Sequence, residues 1–194
     1  MIAPLLGDTV PRRGNRFSRA LGKSVLAAMG WRLDVGFPDA PKFVVVVAPH
    51  TSAWDFVIGI FAMLALGIRA SWMGKHGLFR WPFAGVLRWL GGIPIDRRSS
   101  HGAVETMVDL FKSRRELILG IAPEGTRRKV DTWRTGFYHI ARGAGVPIVP
   151  CYFDYGRKVI GTGAAVHPTG DLAGDLLAIR SVYEGVAGKN PSRA

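Results

Sequence analysis

The chain has 194 residues, 48% of them hydrophobic, enough for one domain around one sizeable core and too apolar for a disordered chain. Lys and Arg number 26 against 14 Asp and Glu, a formal charge of +12 that favours polyanions such as nucleic acid, anionic lipid headgroups or phosphorylated substrates. The aliphatic and Trp content beside that charge leans toward lipid, and no Lys/Arg-dense helix or nucleic-acid-binding motif supports a nucleic-acid partner.

Residues 1–15, with Pro4, Gly7, Pro11 and Gly14, read as an irregular tail. Residues 16–32 turn helical, with Phe17, Leu21, Val25, Leu26 and Met29 on an apolar side ringed by Arg16, Arg19, Lys23 and Arg32. This pattern fits an interfacial helix lying on a membrane and equally a surface helix docked on its own core. Residues 43–48 are a valine-rich run closed by Pro49, as expected of a buried parallel strand. Residues 54–66 read as a mostly buried helix, 70–73 as a short strand and 74–82 as a loop rich in Gly and aromatics, with Trp81 in it. A short helix over 83–90 carries Trp89, and a strand over 93–95 leads into Asp96, Arg97 and Arg98. The apolar run 56–68 is too short for the ~20 residues a membrane-spanning helix needs. Arg12-Arg13 lacks the apolar stretch and cleavage site of a signal peptide.

Residues 101–114 are a helix, and 117–122 a second buried strand, again closed by proline at Pro123. A helix over 135–143 and a strand over 146–153 follow, the latter holding Cys151. With one cysteine, an intramolecular disulfide and a Cys-rich zinc site are excluded, and no metal is expected. Residues 159–160 and 164–166 read as a strand pair around Gly161 and Gly163, and 171–186 as a last helix. Strands alternating with helices predict an α/β fold, a mostly parallel central sheet flanked by helices, in a single domain over 1–194.

Two strands, 43–48 and 117–122, end in Ala-Pro before a charged loop. Ligands of open α/β sheets bind beyond the carboxyl ends of the strands, so His50 and the segment 124–127 are expected on one edge. His50 and Asp55 would lie about 140° apart on a regular helix, and can meet only if the chain turns between them. One reading makes Ser52 the cap of the following helix with Asp55 at the capping-box position, and His50 an ordinary loop residue. The other has Asp55 accept from one imidazole nitrogen while the second acts as a general base toward a hydroxyl. No Gly-x-Ser-x-Gly elbow is present, and Cys151 sits in an apolar strand pattern, so direct attack by a bound hydroxyl fits better than an acyl-enzyme. Gly125 lets backbone amides approach an anion, and Arg127 offers a fork matched to phosphate oxygens, although alone the segment fits a turn with a surface salt bridge equally well.

The ordered set His50-x-x-x-x-Asp55 and Glu124-Gly125-Thr126-Arg127 resembles the 1-acylglycerol-3-phosphate O-acyltransferase family, the glycerolipid acyltransferases. Residues 75–97 resemble its second motif, Trp133-Arg134-Thr135-Gly136 the element after the Glu-Gly-Thr-Arg block, and Val146-Pro147-Ile148-Val149-Pro150 its fourth, so the likeness spans 43–153. Pro49 stands where many relatives have Asn, and no long N-terminal hydrophobic hairpin is seen. The resemblance implies acyl transfer from acyl-CoA or acyl carrier protein to a lysophospholipid, with no cofactor beyond that co-substrate. His50 is then the base and Asp55 its orienting partner. Lys75, Arg97 and Arg127 grip the acceptor phosphate, Glu124, Gly125 and Thr126 shape that pocket, and Pro147, Ile148, Val149 and Pro150 support the acyl side. The expected setting is peripheral, on the cytoplasmic face of an anionic membrane, with Arg16, Phe17, Leu21, Trp81 and Trp89 as contacts. A non-catalytic basic lipid-binding protein is the alternative.

Overall fold

The computed structural model describes residues 5–95, 100–126, 130 and 132–193. It opens with β1 (Leu5–Leu6), α1 (Arg16–Ala28), β2 (Arg32–Asp34), β3 (Gly36–Phe37) and β4 (Lys42–Val47). Then come α2 (Trp54–Leu66), β5 (Ala70–Lys75), a 3-10 turn (His76–Leu78), α3 (Ala84–Trp89), β6 (Gly92–Ile95) and α4 (Ser100–Ser113). The chain closes through β7 (Leu117–Ile121), α5 (Gly136–Ala144), β8 (Ile148–Asp154), β9 (Val159–Thr162) and α6 (Leu172–Ser181).

Among the described residues one sheet has the order β2-β9-β8-β4-β7-β5-β6, and β1 pairs separately with β3. Neighbouring strands are parallel except β8 and β9. The valine run of β4 is continuous because both of its faces are buried, as helix crossovers require of parallel strands. Phe43 and Val45 face Leu26 of α1 and Ile58, Ala62 and Ala65 of α2. Val44 and Val46 face Met107 and Phe111 of α4, Phe137 and Ile140 of α5 and Ile179 of α6. The predicted α/β fold with its mostly parallel sheet is what the chain adopts.

Several local expectations change. Of the tail expected over 1–15, residues 1–4 lie outside the described residues, and 5–15 are not an irregular tail: β1 joins β3, Val10 is 1% exposed in the core, and the Arg13 amide donates to the Gly67 carbonyl at 2.9 Å. One buried valine and a few backbone bonds hold a Pro- and Gly-rich stretch that periodicity reads as loose. The helix predicted over 16–32 ends at Ala28, and Arg32–Asp34 pairs with β9 instead. Its Gly22 and Leu26, one turn apart, are buried against α2, while Phe17 and Leu21 on a neighbouring stripe stay exposed. The predicted strand pair after residue 158 is the single strand β9, with Val166 in an isolated bridge to Ile148. Gly161 lies within β9 opposite Tyr152, where a Cβ would stand 2.3 Å from the Tyr152 hydroxyl, so it marks a close crossing and not a turn. The last helix stops at Ser181, five residues earlier than its apolar pattern extends.

Gly22 sets the distance between α1 and α2, because a Cβ there would lie 2.4 Å from the Ala65 amide nitrogen and 2.7 Å from the Phe61 carbonyl oxygen. Both atoms are backbone and cannot swing aside. Gly22→Val is expected to destabilise the fold by ~2–3 kcal/mol in urea unfolding, while Ser24→Ala on the exposed side leaves the midpoint unchanged. Equal midpoints for the two variants would show that the helices are not in close contact at Gly22.

Candidate active site

Val46 of β4 pairs with Ile121 of β7, so the chain leaves both strands at the same height on the carboxyl edge of the sheet. His50 and Glu124, a few residues beyond those partners, therefore meet. The Glu124 carboxylate, 8% exposed, accepts the His50 backbone N–H at 2.9 and 3.2 Å. Burial raises the Glu124 carboxyl above its ordinary value, against the lowering effect of that amide. The carboxylate expected to shape a phosphate pocket thus also anchors the loop that carries the histidine.

Asp55 opens α2 and is 2% exposed. Its Oδ2 stands 3.1 Å from His50 Nδ1 and accepts the Ser52 amide at 2.9 Å. Its Oδ1 accepts the Tyr155 hydroxyl at 2.6 Å. The carboxylate thus reaches back to the Ser52 amide and also meets the imidazole, but the expected Ser52 cap is not formed. The cap position of α2 is Ala53, with no side-chain cap bond, and the Ser52 hydroxyl accepts the Trp54 amide at 3.2 Å. The chain makes the turn that a straight helix would forbid. Burial alone pushes the Asp55 carboxyl up, but the bonds from His50, Tyr155 and Ser52 outweigh it and hold the group below the usual carboxylate range. Among the described residues His50 Nε2 has no hydrogen-bond partner, and the side chain is 26% exposed.

The loop between His50 and Asp55 is pinned from behind. Thr51 is fully buried, and Asn190 donates its amide to the Thr51 hydroxyl at 3.2 Å and its side-chain NH₂ to the Thr51 carbonyl at 3.0 Å. The Lys189 ammonium lies 4.7 Å from the Trp54 ring centre. Tyr183 donates to the Val46 carbonyl at 2.7 Å, just before the loop begins. Tyr155, Tyr183 and Asn190 went unseen in the sequence, because their partners lie about a hundred residues away or more and no local spacing marks them.

The other predicted residues fall as follows. Lys75 is exposed at the end of β5, which pairs with β7. Gly125 takes φ +64°, with its amide bonded to the Ala122 carbonyl and Arg134 donating its own amide to Pro123, so the loop after β7 is tied to the one before α5. Thr126 is exposed, while Arg97 and Arg127 lie outside the described residues. Pro147, Ile148, Val149 and Pro150 are buried at the start of β8, where Ile148 to Pro150 pair with Val44 to Val46 and so support β4. Phe17, Trp81 and Trp89 are 77%, 92% and 63% exposed, and Arg16 and Leu21 also reach solvent. Arg13 donates to the Trp89 carbonyl and lies 4.4 Å from its ring centre, which joins the start of α1 to the end of α3. Among the described residues no helix is long and apolar enough to cross a membrane, and no cluster of His, Cys, Asp and Glu could hold a metal ion. A cleft of about 470 Å³ between Pro11, Arg69, Arg114 and Arg115 lies at the amino ends of β5 and β7, on the far edge from His50.

Residues 38–154, more than half of the chain, match the family model described as Acyltransferase. The 1-acyl-sn-glycerol-3-phosphate acyltransferase of Escherichia coli K12 is 42% identical over 150 residues, covering 72% of this chain and 59% of the relative. The enzyme of that name from Salmonella typhimurium is 40% identical over 160 residues, covering 77% and 63%. The chain thus spans about three-fifths of the length of these curated relatives. The crystal structure of the 1-acyl-sn-glycerophosphate acyltransferase PlsC from Thermotoga maritima superposes with a TM-score of 0.61 at 20% identity, covering 88% of this chain and 78% of that one, which establishes the shared fold. By the span of that family match, with its two relatives near 40% identity, the chain belongs to the acyltransferase family.

Proposed function

We propose that this chain moves a fatty acyl group from an acyl thioester to the hydroxyl of a lysophospholipid such as 1-acylglycerol-3-phosphate, in phospholipid synthesis or remodelling. The observation that carries the reading is the 3.1 Å pairing of His50 Nδ1 with the buried Asp55 carboxylate on a loop held from both sides. Asp55 keeps the proton on Nδ1, which leaves Nε2 as the base. As the acceptor oxygen bonds to the thioester carbonyl carbon, its proton passes to Nε2. Collapse of the tetrahedral intermediate breaks the carbon–sulfur bond, and the imidazolium returns the proton to the departing thiolate. An acyl-enzyme is disfavoured: Cys151 is buried and its thiol is pushed up to about 12 by burial, so little thiolate exists at neutral pH. The chemistry needs no cofactor beyond the thioester, which is acyl-CoA or acyl carrier protein.

The names of the curated relatives favour a phosphate-bearing acceptor. In this reading Lys75, Arg97 and Arg127 hold the phosphate beside Gly125 and Thr126, as cations suit an oxyanion. The exposed Phe17, Leu21, Trp81 and Trp89, with Arg13, Arg16 and Arg88 near them in the chain, fit an anionic bilayer surface from which a lysolipid could enter.

His50→Ala is expected to lower acyl transfer ~10²- to 10⁴-fold, measured by thioester release with a panel of lysolipids and product masses, with the fold retained by circular dichroism and the melting temperature lowered by the loss of one donor to Asp55. Near-normal transfer by a folded variant removes His50 from the chemistry and favours a lipid-binding role. Arg127→Ala should raise KM for a phosphate-bearing acceptor ~10-fold while leaving a neutral monoacylglycerol unaffected. Flotation with anionic vesicles should weaken as salt rises, and the double variant Phe17→Ser, Trp81→Ser should bind ~10-fold less or weaker still. Unchanged flotation by that variant excludes these side chains as the membrane contact.

A further inference from the structure

β4 is flanked in the sheet by β7 on one side and β8 on the other, and both neighbours send a residue to the loop that follows β4. From β7 comes Glu124, which holds the His50 amide. From the end of β8 comes Tyr155, whose hydroxyl donates to Asp55 Oδ1 at 2.6 Å. With Oδ2 shared between the His50 ring and the Ser52 amide, the phenol fills the carboxylate oxygen that would otherwise be left bare in the protein. We infer that Tyr155 is a positioning residue of the reaction, fixing the Asp55 carboxylate so that Oδ2 stays against His50 Nδ1.

The tyrosine is itself held rigidly. Its ring meets Trp31 edge-on with centres 4.9 Å apart, and Trp31 is 4% exposed. Its amide donates to the Ala187 carbonyl at 2.8 Å, in the same C-terminal stretch that pins Thr51 through Asn190. A hydroxyl placed by a packed ring and a fixed backbone aims its hydrogen bond in one direction, which is what orientation of a carboxylate requires. Burial first, and then the bond to Asp55, pushes the phenol well above its usual range, so it stays protonated and only donates. Among the described residues the titratable groups that face Asp55 are His50, Glu124 and Tyr155. Of these Tyr155 is the one whose hydroxyl bonds to the Asp55 carboxylate and not to the loop backbone, and which the general-base mechanism leaves without a part.

The inference rests on the acyl-transfer reading of His50, and its test separates the two. Tyr155→Phe removes one oxygen and keeps the ring on Trp31. The imidazole titration of His50, followed by NMR in wild type and variant, reports the coupling without any turnover. Loss of the phenol donor leaves more negative charge on Asp55 and raises its own affinity for a proton. Both effects move the His50 midpoint, and with it the acid limb of kcat/KM, to higher pH. At the plateau kcat should fall ~10-fold, as expected for a lost hydrogen bond to a buried charge, with KM for both substrates within ~2-fold of wild type. Tyr152→Phe, a tyrosine of β8 that faces Gly161 and not the site, serves as the control and should match wild type throughout. A His50 midpoint that does not move in Tyr155→Phe overturns the inference whatever the rates do. A moved midpoint with wild-type kcat overturns it too, since the coupling would then have no catalytic consequence. Failure of the general-base reading shows separately, as activity retained by His50→Ala.

Discussion

A carboxylate taken out of water is costly unless each oxygen finds a donor, and Asp55 is a carboxylate with almost no solvent contact. Much of the architecture around the site can be understood as the means of supplying those donors. His50 and Ser52 come from the same loop, which has to fold back on itself before α2 starts. Tyr155 comes from the far end of β8, which has to lie beside β4 and in parallel with it. The N-terminal turn of α2 adds a favourable dipole at the position where Asp55 sits. Removal of any one donor leaves charge uncompensated in the protein, so the loop, the helix start and the strand order constrain one another.

The same logic separates this edge of the sheet from the opposite one. The +12 charge provides arginines in both places, and those at the amino ends of β5 and β7 line a cleft of about 470 Å³. That cleft has cations but no imidazole–carboxylate pair. Positive charge attracts an anion anywhere on the surface, whereas acid–base chemistry needs a proton acceptor held in one orientation. Parallel strands bring their carboxyl ends, with the loops that follow them, to a single edge, and β4, β7 and β8 all contribute residues there.

On the helical side, α1 is divided between two roles. Gly22 and Leu26 close against α2, where the absence of a side chain at Gly22 lets two backbones touch. Phe17 and Leu21 are left outside that contact, and the Arg13–Trp89 stacking brings the start of the helix to the exposed aromatic end of α3. Apolar side chains that the core does not take up, set among arginines, form a surface whose physical complement is apolar and anionic at once.

By itself the sequence determined the α/β class, the central valine strand, the position of α2, and the His50, Asp55 and Glu124 motifs in their order. These are legible because they depend on short-range rules: runs of valine buried on both faces, helical spacing, and proline closing a strand. It did not reveal that the stretch around Val10 is docked on the core, that Gly161 lies inside a strand, or that α1 stops at Ala28. Each of those turns on a partner that local spacing does not mark: the core for Val10, β9 for the residues after α1, and, across the β8–β9 hairpin, the Tyr152 ring for Gly161. Tyr155 and Asn190 belong to the same class, since nothing near them in the chain distinguishes them from any other tyrosine and asparagine. Only the tertiary structure could decide their part, because the buried charge and backbone they serve exist as buried groups only once the sheet has brought β4 and β8 side by side.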